Sequence, residues 1–244
     1  MSRAPRFAVT RADVEGAVAR VIGAELHHMR NVMRLRSGAE VTLLDDQGTL
    51  YHGHIIRFEP ECALVEVART SGPDIRQSLI LAAALIKGPR MDFLVEKAAE
   101  LGAAELWPLV CERSLVRSPG TERLTRWRRL ALAAAKQSLA THPMEIRAPR
   151  AVADTAQNVP KESLAVLCEP GAEPLSALVR RLRPRAIILA CGPEGGFDQA
   201  ETAALAAAGF VAAGLGPNRL RSETAALAAL SIAAAVLDEI NGRD

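Results

Sequence analysis

The run Leu79-Ile-Leu-Ala-Ala-Ala-Leu-Ile86 constrains this chain more than any other segment. Eight apolar residues in succession leave no face for water, so the segment reads as a strand covered on both sides, the kind found in parallel sheets. The residues after it alternate between helix and strand patterns, which extends that reading to a parallel α/β sheet. Met91, Leu94, Val95, Ala98 and Leu101 fall on one side of a helix that stops at Gly102. A strand over 105–110 follows, and its Pro108 argues for an edge or a strand end. A basic helix over 122–139 buries Leu124, Trp127, Ala131 and Ala134. Strand 164–168, helix 174–182 and strand 187–190 continue the series. Asp198 and Glu201 have capping-box spacing at the start of helix 199–208, and Ser222 suits the N-cap of a last helix reaching about residue 240.

Upstream the pattern changes. Glu40-Val-Thr-Leu-Leu44, Tyr51-His-Gly-His-Ile-Ile-Arg57 and Cys62-Ala-Leu-Val-Glu-Val67 are short strands separated by Asp45-Asp-Gln-Gly48 and Glu59-Pro-Glu61, as in a small antiparallel barrel or sheet. Thr70-Ser-Gly-Pro-Asp74 reads as a linker. Two domains are therefore expected, 1–72 and 73–244, and 244 residues suffice to bury a core in each.

Composition excludes several classes. No stretch reaches the ~18 apolar residues of a membrane span, and the first residues lack the apolar run of a signal peptide. Cys62, Cys111, Cys168 and Cys191 are far apart in sequence and are expected as buried, reduced thiols in a cytoplasmic protein. His52 and His54 share a strand face without a third ligand, so they read as a surface pair and no metal is expected. The net charge of +2 hides an asymmetry. Arg113, Arg117, Arg123, Arg126, Arg128, Arg129, Lys136, Arg147 and Arg150 are opposed within their stretch only by Glu122 and Glu145. The first 36 residues add seven arginines against three acids. Clustered guanidinium groups suit a phosphate-bearing partner. With aromatics at 3%, base stacking cannot be the main grip, which leaves arginine–phosphate contacts and the shape of folded RNA.

Two loops carry the chemistry. Ala186-Ile-Ile-Leu-Ala-Cys-Gly-Pro-Glu-Gly-Gly-Phe197 takes a strand into a glycine turn, and Leu215-Gly-Pro-Asn-Arg-Leu-Arg-Ser-Glu-Thr-Ala225 takes another into an alanine-rich helix. Loops of this kind make a pocket of backbone groups suited to a flat, polar small molecule. Gly192-Pro-Glu-Gly-Gly196 lacks both the dinucleotide fingerprint and the lysine and hydroxyl of a P-loop.

The ordered pair of loops resembles the SPOUT class of S-adenosylmethionine-dependent RNA methyltransferases, and more narrowly the 16S ribosomal RNA uridine-N3 methyltransferase family, RsmE. The resemblance covers almost the whole chain, including His27-His-Met-Arg-Asn-Val-Met-Arg-Leu-Arg36, Lys87-Gly-Pro-Arg-Met-Asp92, Glu96-Lys-Ala-Ala-Glu-Leu-Gly102 and Glu112-Arg-Ser114. It implies a trefoil-knotted α/β methyltransferase domain behind a PUA-like β-barrel, assembled as a homodimer. It implies S-adenosylmethionine as cofactor and, as substrate, a uridine of 16S rRNA (family target uracil 1498) in the assembled 30S subunit.

The implied donor contacts are Leu167, Glu169, Pro170, Gly192, Pro193, Glu194, Gly195, Gly196, Leu215, Gly216, Leu220, Ser222, Thr224 and Ala225. Arg221 would stabilise charge on the uracil oxygens, and Glu223 or Glu194 would accept the N3 proton. The bland alternatives are a surface arginine for Arg221 and a helix-dipole partner for Glu223. Arg113 would orient RNA or position the partner subunit's site. RNA contacts are expected from Arg30, Arg34, Arg126 and Arg129. One departure stands out: Lys136-Gln-Ser-Leu-Ala140 occupies the place of the family's Glu-Gln-x-x-Arg, with His142 or Arg147 as substitutes for the missing arginine. Alternative expectations are a SPOUT enzyme acting on another nucleotide and a non-catalytic ribosome-assembly factor, the latter favoured only by that departure.

Overall fold

A computed structural model gives the fold and describes residues 4–46, 48–71, 78–138, 140 and 142–241. The chain divides into two compact units, Met1–Ile75 with Leu132–Pro143 and Arg76–Ala131 with Met144–Asp244. Thr70 and Ser71 of the expected linker continue a strand. Gly72, Pro73 and Asp74, and with them the 72/73 boundary, lie outside the described residues.

The first unit holds β1 (Arg6–Ala8), β2 (Val14–Glu15), β3 (Val18–Ile22), β4 (Glu40–Leu44), β5 (Leu50–Phe58) and β6 (Cys62–Ser71), in the sheet order β1-β4-β5-β6-β3-β2. The antiparallel β4–β5–β6 meander is the one its turn residues foretold. Asp45 Oδ1 accepts from the Thr49 amide at 2.7 Å, and Gly48 supplies a positive φ of 85°. β1 is a parallel addition beside β4, and β2–β3 is a hairpin. Phe7, Val21, Met29, Leu43, Ile55 and Val65 form the core. At Gly53 a Cβ would lie 1.8 Å from the Glu66 carbonyl oxygen, so only glycine allows β5 and β6 to approach at that register shift.

The short helix α1 (Gly23–His27) runs into one π-helical turn, where His28 meets the Phe7 ring edge-on at 5.8 Å and His27 pairs with Asn31. His52 lies between the hydroxyls of Thr42 and Ser71, and His54 pairs with Glu66 at 3.1 Å. Lys136, the residue that departs from the family pattern, forms an ion pair with Glu25, and Glu25 also accepts from the Ala8 amide. The charge at 136 therefore has a structural partner within this unit.

The second unit is a parallel sheet of β7 (Ser78–Ala84), β8 (Glu105–Val110), β9 (Glu145–Ile146), β10 (Arg150–Ala151), β11 (Ser163–Cys168), β12 (Ala186–Cys191) and β13 (Val211–Ala213). Their order is β10-β8-β7-β12-β11-β13, with β9 beside β8. Around it run α2 (Pro89–Glu100), α3 (Gly120–Gln137), α4 (Val152–Ala156), α5 (Leu175–Leu182), α6 (Gln199–Ala207) and α7 (Ser222–Ile240). The end of α3, from Leu132, counts with the first unit. Every residue of Leu79–Ile86 is 8% exposed or less, as a doubly covered strand requires.

Two expectations need correction. β8 is not the edge: β7 lies on one side, β9 and β10 on the other. Those two fragments pair with Glu105–Leu106 and Leu109–Val110, so Pro108 falls in the gap between them, where its missing N–H costs no ladder bond. Ser222 is not the cap of α7. Arg221 holds the extended cap conformation (φ −68°, ψ 156°), while Ser222 is the first helical residue and its buried hydroxyl has no hydrogen-bond partner among the described residues. The capping box of α6 is present: Asp198 Oδ1 accepts from the Glu201 amide at 2.7 Å, and Glu201 accepts from the Asp198 amide at 2.9 Å. Among the described residues no helix is long and apolar enough to cross a membrane.

Candidate active site

Three loops leave the C-terminal ends of the neighbouring strands β12, β11 and β13, where open α/β sheets place their ligands. Backbone bonds tie the loop after β11 to the one after β13. The Glu169 amide donates to the Ala213 carbonyl at 2.9 Å, the Gly214 amide to Glu173 at 2.8 Å, and the Leu175 amide to Gly214 at 2.9 Å. A Cβ at Gly214 would sit 2.8 Å from the Ala172 carbonyl oxygen, and Gly216 has φ 128°, a conformation that side chains avoid. Between these loops opens a cleft of about 340 Å³, lined by Gly171, Ala172, Pro174, Leu215, Gly216 and Ile232 among others.

The Gly192-Pro-Glu-Gly-Gly196 loop is shaped by glycine in the same way. Gly196 closes a turn onto the Pro193 carbonyl at 2.8 Å, and a Cβ at Gly195 would press on the Arg113 side chain at 3.3 Å. Arg113 Nη1 donates to the carbonyls of Gly195 (2.8 Å) and Phe197 (3.3 Å). Arg113 is therefore the strut of this loop.

Arg90, which no local sequence pattern singles out, joins the candidate site. It stands in the first turn of α2, where the helix dipole disfavours a cation, and it is held there by two carboxylates. Its guanidinium hydrogen-bonds Glu194 and lies 3.6 Å from Glu223 Oε2. The hydrogen bond from Arg90 holds the Glu194 carboxyl below its ordinary range, with Arg221 adding to the effect. Arg219 reaches the Glu194 carbonyl at 3.5 Å. Glu223 differs from Glu194 in burial: its side chain is 10% exposed, and Oε2 has no hydrogen-bond partner among the described residues. The neighbouring Ser222 hydroxyl is orphaned too. Two buried side-chain oxygens at the start of α7 thus make no hydrogen bond among the described residues, which leaves them open to polar atoms of a ligand. Arg221 is exposed beside them.

Thus Glu169 and Pro170, the 192–196 turn, and Leu215, Gly216, Leu220, Ser222, Thr224 and Ala225 belong to these three loops and the first turn of α7, while Leu167 lies on β11 next to its last residue. The expected RNA contacts lie elsewhere. Arg30 spans the Phe58 ring and the Glu59 carbonyl, and Arg34 is exposed with φ 53°. Arg126 is tethered to Asp92 at 2.8 Å, whereas among the described residues Arg129 has no ion-pair partner. Arg147 is engaged by Glu105 and Glu145, so it is not free to replace the missing arginine at 140.

Comparison with known proteins agrees with this geometry. The profile of an RNA methyltransferase domain matches residues 73–234, and that of an RNA methyltransferase PUA domain matches residues 21–62. The ribosomal RNA small subunit methyltransferase E of Synechocystis sp. is 30% identical over 96% of this chain and 78% of its own length. That of Bacillus subtilis is 27% identical over 99% and 94%. The Neisseria gonorrhoeae protein of the same name, solved with S-adenosylmethionine bound, superposes with a TM-score of 0.83 at 28% identity, covering 98% of each chain. Fold and loops together define a SPOUT RNA methyltransferase, with a trefoil-knotted α/β domain and a PUA-like β domain. Within that class, the chain belongs to the ribosomal RNA small subunit methyltransferase E family.

Proposed function

We propose that this protein methylates N3 of a uridine in 16S rRNA, at the family target uracil 1498, using S-adenosylmethionine and acting on the assembled small subunit. The observation that carries the reading is the buried carboxylate of Glu223, whose Oε2 lies 3.6 Å from Arg90 and accepts no hydrogen bond among the described residues, beside Arg221 at the junction of three glycine-shaped loops. The cofactor fits that junction. Gly214 and Gly216 expose backbone in a wall otherwise lined by Pro174, Leu215 and Ile232, and the Ser222 hydroxyl, without a hydrogen bond among the described residues, offers a polar contact. Leu167, Glu169, Pro170, the 192–196 backbone, Leu215, Gly216 and the first turn of α7 would hold it. When bound, S-adenosylmethionine supplies a methyl group on a positively charged sulfur.

Uracil N3 becomes a good nucleophile only when its proton leaves. Glu223, little exposed and short of a hydrogen bond, accepts that proton. Glu194 is poorly suited to that role, because Arg90 stabilises its charged form. Arg221 meets the negative charge that grows on the uracil oxygens flanking N3. Arg113 holds the 192–197 loop in position. Exposed Leu115, two residues beyond Arg113, adds an apolar contact for a second copy of the chain; a solution mass near twice 26.0 kDa is the expected result. Arg30, Arg34, Arg126 and Arg129 contact the rRNA. Reversing the charge at Arg126 and Arg129 should weaken subunit binding in a salt-dependent way while sparing donor binding.

The deciding experiment incubates the purified protein and labelled S-adenosylmethionine with small subunits whose rRNA lacks native methylation, then identifies the labelled nucleoside by mass spectrometry. Label in N3-methyluridine is expected. Label in a different nucleoside would move the acceptor and keep the enzyme class. Donor binding without label would contradict the choice of substrate, and an absence of both would return the chain to the assembly-factor reading.

A further inference from the structure

Cys168 and Cys191 are 23 positions apart in sequence, and nothing in the spacing pairs them. The sheet does. The registered pairs of β11 and β12 run to Leu167↔Ala190, and the next residue on each strand is a cysteine. Neighbouring strands lie about 4.8 Å apart, inside the ~4.4–6.8 Å Cα separation of disulfides. Residues one step beyond a registered parallel pair point to the same face of the sheet. Both are free thiols. Cys191 is buried and Cys168 partly exposed, so one sulfur is reachable from solvent and the other waits behind it.

Their place in the fold gives the pair a consequence. Glu169 and Gly192, the very next residues, open two of the three loops at the candidate site, and the loop that follows Cys168 lines its cleft. We propose that Cys168 and Cys191 are a reversible oxidation site, whose disulfide clamps the roots of the two loops and lowers the affinity of the cleft for its ligand.

The oxidant is a hydroperoxide. The Cys168 thiolate attacks its terminal oxygen, releasing an alcohol, or water from hydrogen peroxide, and becoming a sulfenic acid. The Cys191 sulfur then attacks the Cys168 sulfur and expels the hydroxyl as water. In sum, two thiols and one hydroperoxide give a disulfide, one alcohol and one water. Hydrogen bonding to Cys168 and burial push the Cys191 thiol up, which leaves Cys168 to make the first attack. Cys111 is an internal control. Burial pushes it up to about 12, and it has no thiol neighbour among the described residues.

The inference rests on the proposed cofactor site for its effect but not for its chemistry, and the test separates the two. The full-length protein is treated with one equivalent of hydrogen peroxide and then analysed by non-reducing peptide mapping. Its affinity for S-adenosylmethionine is measured by calorimetry before oxidation, after it, and after dithiothreitol. A Cys168–Cys191 cross-linked peptide with the loss of two hydrogens is expected. Affinity should fall about tenfold or more, as when the binding-competent loop arrangement becomes a minor state, and dithiothreitol should restore it. Cys62→Ser should cross-link as the parent does, and Cys191→Ser should not. Oxidation of Cys168 to a sulfinic acid without cross-link overturns the site. A cross-link with unchanged affinity overturns its control of the cleft. If the reduced protein binds no S-adenosylmethionine, the cofactor assignment fails while the peptide map still decides the thiol pair.

Discussion

The α/β unit contains two clefts of nearly equal size, and they could hardly differ more in chemistry. One, about 340 Å³, opens among the loops after β11 and β13. The other, about 300 Å³, lies on the opposite side of the sheet order, against β8 and β10, and is lined by Glu105, Trp107, Arg147, Arg150, Thr155 and Asn158. Side-chain polarity alone would favour the β8–β10 cleft as a binding site. Apart from Arg150, however, its polar side chains already have partners within the protein. Glu105 accepts from Arg147 at 2.8 and 3.1 Å and from the Trp107 indole at 2.6 Å; Thr155 and Asn158 are bonded to the backbone of α4 and the residue before it. The loop cleft has glycine in its walls, and two buried side-chain oxygens at the start of α7 make no hydrogen bond among the described residues. Unmet hydrogen bonds, more than volume or charge, mark a place prepared for a ligand.

That contrast breaks most sharply at Glu223. Glu223→Gln keeps the shape and removes the proton acceptor, so methyl transfer should fall by about 10²–10⁴ with donor affinity little changed; equal losses in calorimetry and turnover would make Glu223 a donor ligand instead. Arg90→Ala should come next. Releasing both carboxylates misplaces the loop, and a displacement of that kind costs up to about 100-fold in turnover, with partial recovery in Arg90→Lys. A variant with full activity would remove Arg90 from the site.

Gly214→Ala forces a methyl group against the Ala172 carbonyl at 2.8 Å. About 1–3 kcal/mol of overpacking strain is expected, read as a lower melting temperature that added S-adenosylmethionine fails to restore. The smallest effect belongs to the other cleft. Arg147→Ala should leave methyl transfer intact and cost about 1 kcal/mol or less, since the pair is partly exposed. Its pH signature has a definite sign. Burial pushes Glu105 up, but the Arg147 and Trp107 hydrogen bonds outweigh it and hold the carboxyl below its usual range. A depressed carboxylate stabilises the fold above its unfolded-state pKa, and that contribution is lost as pH falls through the lower folded value. The parent and Arg147→Ala should therefore converge in stability in acid; a constant difference down to the lowest pH would reject the pair as the cause.

The sequence by itself determined the elements that depend on near neighbours. Leu79–Ile86 had to be a doubly covered strand, the turns before and after β5 had to make a meander, and Asp198 with Glu201 had to cap α6, because each is decided within a few residues. The two glycine loops were legible for the same reason, and the order in which they follow their strands carried the family resemblance. The tertiary structure alone decided what those loops meet. Arg90 reads in sequence as an ordinary first-turn residue and becomes a clamp only because Glu194, 104 positions later, returns beside it. Lys136 has the character of a lost catalytic feature until it is seen paired with Glu25, 111 positions earlier. Pro108 marks a gap in a partner strand that no local pattern announces. The Cys168–Cys191 pair exists only through the register of two parallel strands. Local preferences act over one turn or one hairpin, whereas a parallel sheet brings together residues whose separation along the chain is set by the length of each crossover, and no short stretch of sequence encodes that distance.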